Sequence, residues 1–358
     1  MLSGMLAARA LALPRRPLIA VTSIDLSGEF TAGNTSPALR ELTIDAVERH
    51  LCDHYSRRPG ILELCGLVAS SLSAGGISVD ESMVTICGGV AEARYVVLRA
   101  LAVDQAVYTP GPLPTVYRAG LAFAGAKVHE FDCSAPLPVV TGGILLISSP
   151  NPVTGQIFSE AMLTRLARWV VQSNLSVISD ESIGPLRLGL VRNRFAALKD
   201  MELRTLTIGS FSDAPGLGAW HVSWIAGSKA LSTPARDLKQ SITIASAAAS
   251  QYAALAAVKE LSFGITDKDR TMRLETILAL LDRHNIDYFA PDTTSFVVAK
   301  VAKVSAVVAA GLSCGVIIGD GVALGNPGTI RIAVPSDSGV DAWARLDAAF
   351  LRFRAEAQ

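Results

Sequence analysis

The stretch from Leu175 to Gly227 constrains the fold of this 358-residue chain more than any other. It opens with NLSVISDES (Asn174–Ser182), a β-branched apolar run that ends in carboxylates. It closes with GSFSDAPGLGAWHVSWIAG (Gly209–Gly227), where a glycine-rich turn joins two short strands. Such a run is typical of a strand buried in a parallel sheet, and open α/β sheets bind ligands beyond the carboxyl ends of their strands. The sequence therefore predicts one pocket formed by Asp180, Glu181, Ser210, Ser212, Asp213 and His221.

Charge and composition favour a small ligand over a polymer. The chain has 32 acidic and 32 basic residues, so its formal net charge is zero. Because no block of like charge is present, we expect no nucleic-acid partner and no anionic membrane partner. The five cysteines are scattered without metal-ligand spacing, which predicts reduced thiols, a cytoplasmic protein and no metal site.

The start of the chain, MLSGMLAARALALPRRP, is apolar but lacks the charge order of a secretory signal, since Arg9 interrupts the run. We interpret it as a mobile or dimer-packing arm. Ser36 and Pro37 then predict a helix start, with Ser36 as N-cap and Pro37 at the first position.

A strand, a Gly88-Gly89 turn and a helix follow in MVTICGGVAEARYVVLRALA (Met83–Ala102). Backbone N–H groups at a helix N-terminus can bind an anion, although the same pattern also suits a simple tight turn. Further on, GGILLISSPNPVTG predicts a buried strand that ends in a proline-rich loop around Asn151. Near the C-terminus, an arginine inside an apolar strand, Arg331, predicts a carboxylate partner from the ligand or the protein.

Four motifs together resemble a known family: SDE at 180, SFSD with GLGAWH after it, SPNPVTG, and the closing GVIIGDGVALGNPGTIRIAVP. The chain is similar to fold-type I, class I/II aminotransferases that use pyridoxal phosphate, nearest the histidinol-phosphate aminotransferase branch, from about Ile24 onward. The resemblance implies an α/β fold with a mainly parallel seven-stranded sheet between helices and a smaller α+β domain. It also implies a homodimer. We expect an N-terminal segment over residues 1–50 that joins the small domain, a large domain over 51–250 and a small domain over 251–358.

The resemblance also implies roles for individual residues. The strand-end aspartate, Asp180, would pair with the pyridine nitrogen, and Arg331 would bind the substrate carboxylate. Asn151 would contact the ring oxygen or the substrate, unless its prolines only shape the loop. Tyr55 would reach the phosphate in the other subunit's site, unless it is a partly buried aromatic beside a helix. The vestigial phosphate site would consist of Gly88, Gly89, Ser210 and Ser212.

The chain departs from the family pattern at the positions that hold the cofactor and carry out catalysis. Aligned without gaps, Asp213 stands where the family has its Schiff-base lysine, and His221 stands where it has a phosphate-binding arginine. Ile183 takes the place of a tyrosine that contacts the ring oxygen. A carboxylate cannot hold the aldehyde as an imine. We therefore predict Asp213, Asp180 and His221 as catalytic residues with no cofactor, unless Asp213 only caps a turn.

Three hypotheses follow. The chain is a repurposed enzyme that works without a pyridoxal Schiff base on an amino-acid-like, zwitterionic substrate in a biosynthetic pathway. Alternatively, it is a catalytically silent relative that binds a metabolite or a partner. In the third hypothesis it is an active aminotransferase that uses pyridoxal phosphate through a lysine placed elsewhere.

Overall fold

The structure is a computed structural model. It describes residues 23–29, 35, 37–183, 194–211, 216–259, 267–335 and 340–357. Two sheets form its framework, a seven-stranded sheet and a four-stranded sheet. The predicted fold class is confirmed, because a mostly parallel seven-stranded sheet lies between helices.

The larger sheet has the strand order β2-β8-β7-β6-β5-β3-β4. All neighbours in it are parallel except β8, which runs antiparallel to β2 and β7. The central strands β5 and β6 are buried almost throughout, as their apolar sequences predict. The strands are β2 (Val84–Cys87), β3 (Ala106–Pro110), β4 (Lys127–Phe131), β5 (Ile144–Ser148), β6 (Ser176–Asp180), β7 (Thr205–Ser210) and β8 (Ser223–Gly227).

The smaller sheet has the order β1-β10-β11-β9. It consists of β1 (Ile24–Leu26), β9 (Phe296–Lys300), β10 (Val316–Asp320) and β11 (Thr329–Ala333). Strand β1 comes from the N-terminal part of the chain and pairs in parallel with β10. The domain boundaries at residues 50 and 250 stay a prediction.

Helices cover both sheets. They are α1 (Pro37–Glu48), α2 (Leu62–Ala74), α3 (Val90–Leu101), α4 (Thr115–Phe123), α5 (Glu160–Gln172), α6 (Lys229–Thr243), α7 (Ala248–Lys259), α8 (Asp267–Arg283), α9 (Val304–Ser313), α10 (Gly321–Leu324) and α11 (Val340–Ala357). Helix α1 begins at Pro37 as predicted, whereas the predicted cap Ser36 lies outside the described residues. Helix α5 is capped by Ser159, whose hydroxyl accepts a hydrogen bond from the Met162 amide at 3.2 Å.

Each face of the larger sheet has its own apolar core. Leu146, Ile178 and Ile208 pack with α3 and α4 on one face. Leu145 and Val177 pack with α5 on the other. Because β5, β6 and β7 run parallel to one another, their carboxyl ends lie at one edge of the sheet. Within the described ranges, no helix is long and apolar enough to span a membrane.

Candidate active site

The candidate site lies at the carboxyl ends of three adjacent parallel strands. Ser148 at the end of β5 is paired in register with Asp180 at the end of β6. Asp180 is in turn opposite Ile208 of β7, two residues before Ser210. The topology therefore brings Asp180 and Ser210 to the same sheet edge, as the strand pattern predicted.

Asp180 is buried with its carboxylate bonded within the protein. Its Oδ2 accepts hydrogen bonds from the Arg94 Nε at 2.7 Å and the Tyr117 hydroxyl at 2.6 Å. Its Oδ1 accepts a third from the Ser182 amide at 3.0 Å. Burial acts to raise the pKa of Asp180, but Arg94 and the hydrogen bonds from Ser182 and Tyr117 outweigh burial and lower it. Asp180 is consequently a charged acceptor whose main partner is a protein cation.

Arg94 projects from α3 and connects Asp180 to the N-terminal segment. Its Nη2 donates to Glu29 Oε2 at 2.9 Å and to the Ser182 hydroxyl at 3.3 Å, while its Nη1 is 3.4 Å from Glu29 Oε1. The guanidinium carbon lies 5.3 Å from the centre of the Tyr117 ring, within cation–π range. Burial opposes the charge of Arg94, but Asp180 and Glu29 more than compensate and raise its pKa. Arg94 therefore stays protonated in the interior.

Arg331 lies on β11 and joins the smaller sheet to the loop after β5. Its Nη1 donates to the Pro152 carbonyl at 2.8 Å, while Nη2 and Nε donate to the Ser27 carbonyl at 2.7 and 3.2 Å. Its protein partners in these hydrogen bonds are backbone carbonyl oxygens, and a ligand carboxylate at Arg331 stays a prediction. Burial, with a contribution from Arg94, lowers the pKa of Arg331, while Glu29 and Asp25 oppose that shift.

Two other residues predicted to contact the ligand or cofactor are Asn151, which is bonded within its own loop, and Tyr55, which is exposed. The Asn151 Oδ1 accepts hydrogen bonds from the amides of Val153 and Thr154 at 2.8 and 3.2 Å, so it stabilises its own loop. Tyr55 is 82% exposed, which leaves its proposed reach into another subunit a prediction.

The Gly88-Gly89 turn precedes α3 and is already next to an anion. The Gly88 amide donates to a carboxylate oxygen of Glu92, and the Thr243 hydroxyl donates to the other oxygen at 2.7 Å. Gly89 has φ of +92°, and a Cβ there would lie 3.0 Å from the Nδ1 of His221. His221 is thereby placed against the turn, and only a glycine leaves room for it.

A buried amine lies at the same end of α3. Lys239 of α6 is 0% exposed, and its Nζ has no hydrogen-bond partner among the described residues. Burial lowers the pKa of Lys239, while Glu92 and Cys87 act in the opposite direction. The sequence motifs did not indicate this lysine, since it lies within a helix and not at a strand end.

Two other predicted residues, Ser212 and Asp213, lie outside the described residues. Their placement relative to Asp180 stays a prediction. In the described part of the chain, no cluster of histidine, cysteine and acidic side chains could hold a metal ion.

Sequence reasoning also missed Arg94 and Glu29. Arg94 carried a usable signal: it occupies the apolar face of α3 between Val90 and Val97, where a charge requires a buried partner. Glu29 carried none, because it lies 65 residues from Arg94 in the chain.

The doubly covered sheet with its candidate site at the carboxyl ends defines an open α/β scaffold with a smaller second sheet. A family model described as aminotransferase class I and II matches residues 22–345. The chain belongs to this family.

Solved structures of similar fold include an aspartate aminotransferase from Thermotoga maritima, with a TM-score of 0.78 at 20% identity over 94% of this chain and 92% of that one. An N-succinyldiaminopimelate aminotransferase from Mycobacterium tuberculosis has a TM-score of 0.77 at 21% identity, covering 93% of both chains.

Sequence relatives match over shorter segments. The aromatic-amino-acid aminotransferase 2 of Thermococcus litoralis is 27% identical over 209 residues, which is 54% of each protein. An aspartate aminotransferase of Streptomyces avermitilis is 24% identical over 66% of this chain and 60% of its own length. The chain thus spans little more than half the length of the curated relatives it matches.

Proposed function

We propose that this chain is an aminotransferase-family protein that works without a pyridoxal phosphate Schiff base, on a small amino-acid-like substrate. The observation that carries the proposal is the pairing of Asp180 with Arg94 and Tyr117. The family normally depends on pyridoxal phosphate, so the charged groups of the site must be compared with those of that cofactor. We also propose that the chain is nearest the histidinol-phosphate aminotransferase branch, which its sequence motifs resemble.

The ring end of the cofactor does not fit Asp180. The role implied by the family is to accept a hydrogen bond from the protonated pyridine nitrogen. Here Oδ2 already accepts hydrogen bonds from the Arg94 guanidinium and the Tyr117 hydroxyl, and Oδ1 accepts one from the Ser182 amide. Because Arg94 compensates the carboxylate charge, a pyridinium would gain little at this position and would have to compete with the Arg94 Nε and the Tyr117 hydroxyl for Oδ2.

The phosphate end does not fit the turn before α3. A phosphate needs free N–H groups and positive charge at a helix N-terminus. The Gly88 amide instead donates to the Glu92 carboxylate, which would repel a phosphate dianion. His221, at the position of the family's arginine, supplies a charge only when protonated.

The proposed catalytic residues are Asp213, Asp180 and His221, with Arg331 and Asn151 at the ligand. Asp213 would supply the carboxylate that binds the amino group of the substrate, since Asp180 is already paired with Arg94.

A catalytically silent relative that binds a metabolite is the second candidate function. It is favoured by one observation: the buried charges of Asp180, Arg94 and Glu29 are already paired with one another inside the chain.

We further propose a cytoplasmic homodimer. The support for the dimer is a group of exposed apolar side chains on and after α1, with relative exposures of 38–49%. The group comprises Leu42, Ile44, Val47 and Leu51. Tyr55 follows it closely in sequence, so a dimer formed on this face would bring Tyr55 toward the partner subunit. A monomer in sedimentation analysis would contradict both the dimer and the role of Tyr55 across it.

Reductive trapping tests the cofactor-free function. The protein would be incubated with pyridoxal phosphate, reduced with borohydride and mapped by peptide mass spectrometry. We expect only sub-stoichiometric labelling spread over exposed lysines such as Lys229. One pyridoxyl lysine at one equivalent per chain would contradict the proposal and support the active aminotransferase hypothesis.

A further inference from the structure

The Glu29 carboxylate binds the Arg94 guanidinium in the geometry that a ligand carboxylate would adopt. Its two oxygens lie 2.9 and 3.4 Å from Nη2 and Nη1 of Arg94, which is the fork geometry typical of arginine and carboxylates. Glu29 is 9% exposed, so this pair is shielded from water. A ligand carboxylate of the same geometry would make the same two contacts.

Glu29 reaches this position on a segment that is anchored at two described points. Ile24–Leu26 pairs with β10 of the smaller sheet. The Thr35 hydroxyl donates to the Gly216 carbonyl at 3.1 Å and accepts from the Trp220 Nε1 at 3.0 Å, both next to the larger sheet. Between these points, the Ser27 carbonyl accepts two hydrogen bonds from Arg331. The segment therefore contacts both of the arginines that could bind an anion.

The charges of the four buried side chains around Asp180 sum to zero only when Glu29 is counted. Arg94 and Arg331 are positive, while Asp180 and Glu29 are negative, and each is at least nine-tenths buried. Glu29 also acts electrostatically on Arg331 and opposes the lowering of its pKa by burial. Asp25, on the partly exposed end of the segment, acts on Arg331 in the same direction. Without Glu29, two buried guanidiniums would face one buried carboxylate.

We propose that the Arg94 guanidinium is a carboxylate-binding site, which Glu29 fills from within the chain until a small carboxylic acid ligand displaces it. The proposal rests on the cofactor-free function above, because it requires Asp180 to hold Arg94 in place. It adds the class of ligand that the arginine recognises and the internal group that competes with that ligand. Arg94 is then a specificity-determining residue, Tyr117 is a positioning residue, and Asp180 orients the Arg94 fork in addition to its proposed catalytic role.

Glu29→Gln tests this directly, because the amide keeps the shape and removes the charge. With maleate as probe, we expect saturable thermal stabilisation of Glu29→Gln and an affinity at least about tenfold above that of the unsubstituted protein. Adding Arg94→Lys to Glu29→Gln should reverse the gain, because lysine lacks the planar fork. The matched control is Asp347→Asn, which removes a carboxylate paired with His284 at 2.7 Å in the smaller domain.

Equal maleate affinity in the unsubstituted protein and in Glu29→Gln would overturn the proposal, as would an equal gain in Asp347→Asn.

If Glu29→Gln does not fold, hydrogen exchange measured on the unsubstituted protein tests the displacement of Glu29 instead. Maleate should then accelerate exchange of the amides of residues 24–29, and unchanged or slowed exchange there at the solubility limit would overturn the displacement. Neither readout involves pyridoxal phosphate. If maleate binding fails these tests and reductive trapping gives no pyridoxyl lysine, only the carboxylate-site proposal is contradicted. A pyridoxyl lysine at one equivalent per chain would contradict the cofactor-free function itself.

Discussion

Arg94 and Lys239 are both buried basic side chains, and the helices that carry them, α3 and α6, pack against each other. Arg94 donates to two carboxylates and a hydroxyl, whereas the Lys239 amine has no hydrogen-bond partner among the described residues. The pKa of Arg94 is raised and that of Lys239 is lowered. The comparison shows that the scaffold stabilises a buried positive charge at the Asp180 end and disfavours one on Lys239 at the Gly88 end.

The difference bears on chemistry as well as stability. A family enzyme needs a free carboxylate for the ring and free amides for the phosphate. This chain instead supplies its own cation at the first place and its own carboxylate, Glu92, at the second. Both ends of the candidate site therefore depend on charges that the protein carries itself.

The largest expected effect comes from removing the paired cation. Arg94→Met should lower the free energy of unfolding by about 3–5 kcal/mol, because Asp180 and Glu29 are left buried without compensation. Adding Asp180→Asn should recover part of that loss, since the uncompensated charge is then smaller. Urea denaturation measures both. A loss below about 1 kcal/mol for the single variant would mean that the cluster is solvated.

Removing the unpaired amine should have the opposite sign. Lys239→Met replaces a buried amine that has no partner with a side chain of similar length, so we expect a gain of about 1–3 kcal/mol in unfolding free energy. Lys229→Met on the same helix is the matched control, because Lys229 is exposed and should change stability by less than about 0.5 kcal/mol. A destabilised Lys239→Met would indicate that the amine has a partner that matters.

Acid should weaken the Asp180 end specifically. The pKa of Asp180 is lowered in the fold, so its contribution is present above the unfolded value of about 3.9 and is lost as pH falls below it toward the folded value. One such group changes stability by at most about 1.4 kcal/mol per pH unit. Urea midpoints measured from pH 6 downward should converge for the unsubstituted protein and Asp180→Asn. Parallel curves would show that Asp180 titrates normally.

The smallest effect on stability is expected at Asp213. If Asp213 binds the amino group of the ligand, Asp213→Asn should abolish binding of an amino-acid ligand and change stability by no more than about 1 kcal/mol. Calorimetric titration with the amino acid that binds the unsubstituted protein measures the affinity. An unchanged isotherm would leave Asp213 as a turn residue only.

Much of the scaffold was readable from local sequence. The apolar runs of β5 and β6 predicted buried parallel strands, and Pro37 marked the start of α1. The burial of Arg331 also followed from its apolar strand. The internal pairing of the site was not readable, because Glu29, Arg94 and Asp180 are far apart in sequence and meet only after both sheets form.

The absorption spectrum of protein expressed with ample vitamin B6 and purified without added cofactor tests the central claim most directly. With Asp180 held by Arg94 and the Gly88 amide held by Glu92, we expect a colourless protein. Added pyridoxal phosphate should bind at least an order of magnitude more weakly than to an active relative, since each lost charge-assisted contact costs about 1.5–3 kcal/mol. A yellow protein with one equivalent of cofactor per chain would contradict the claim.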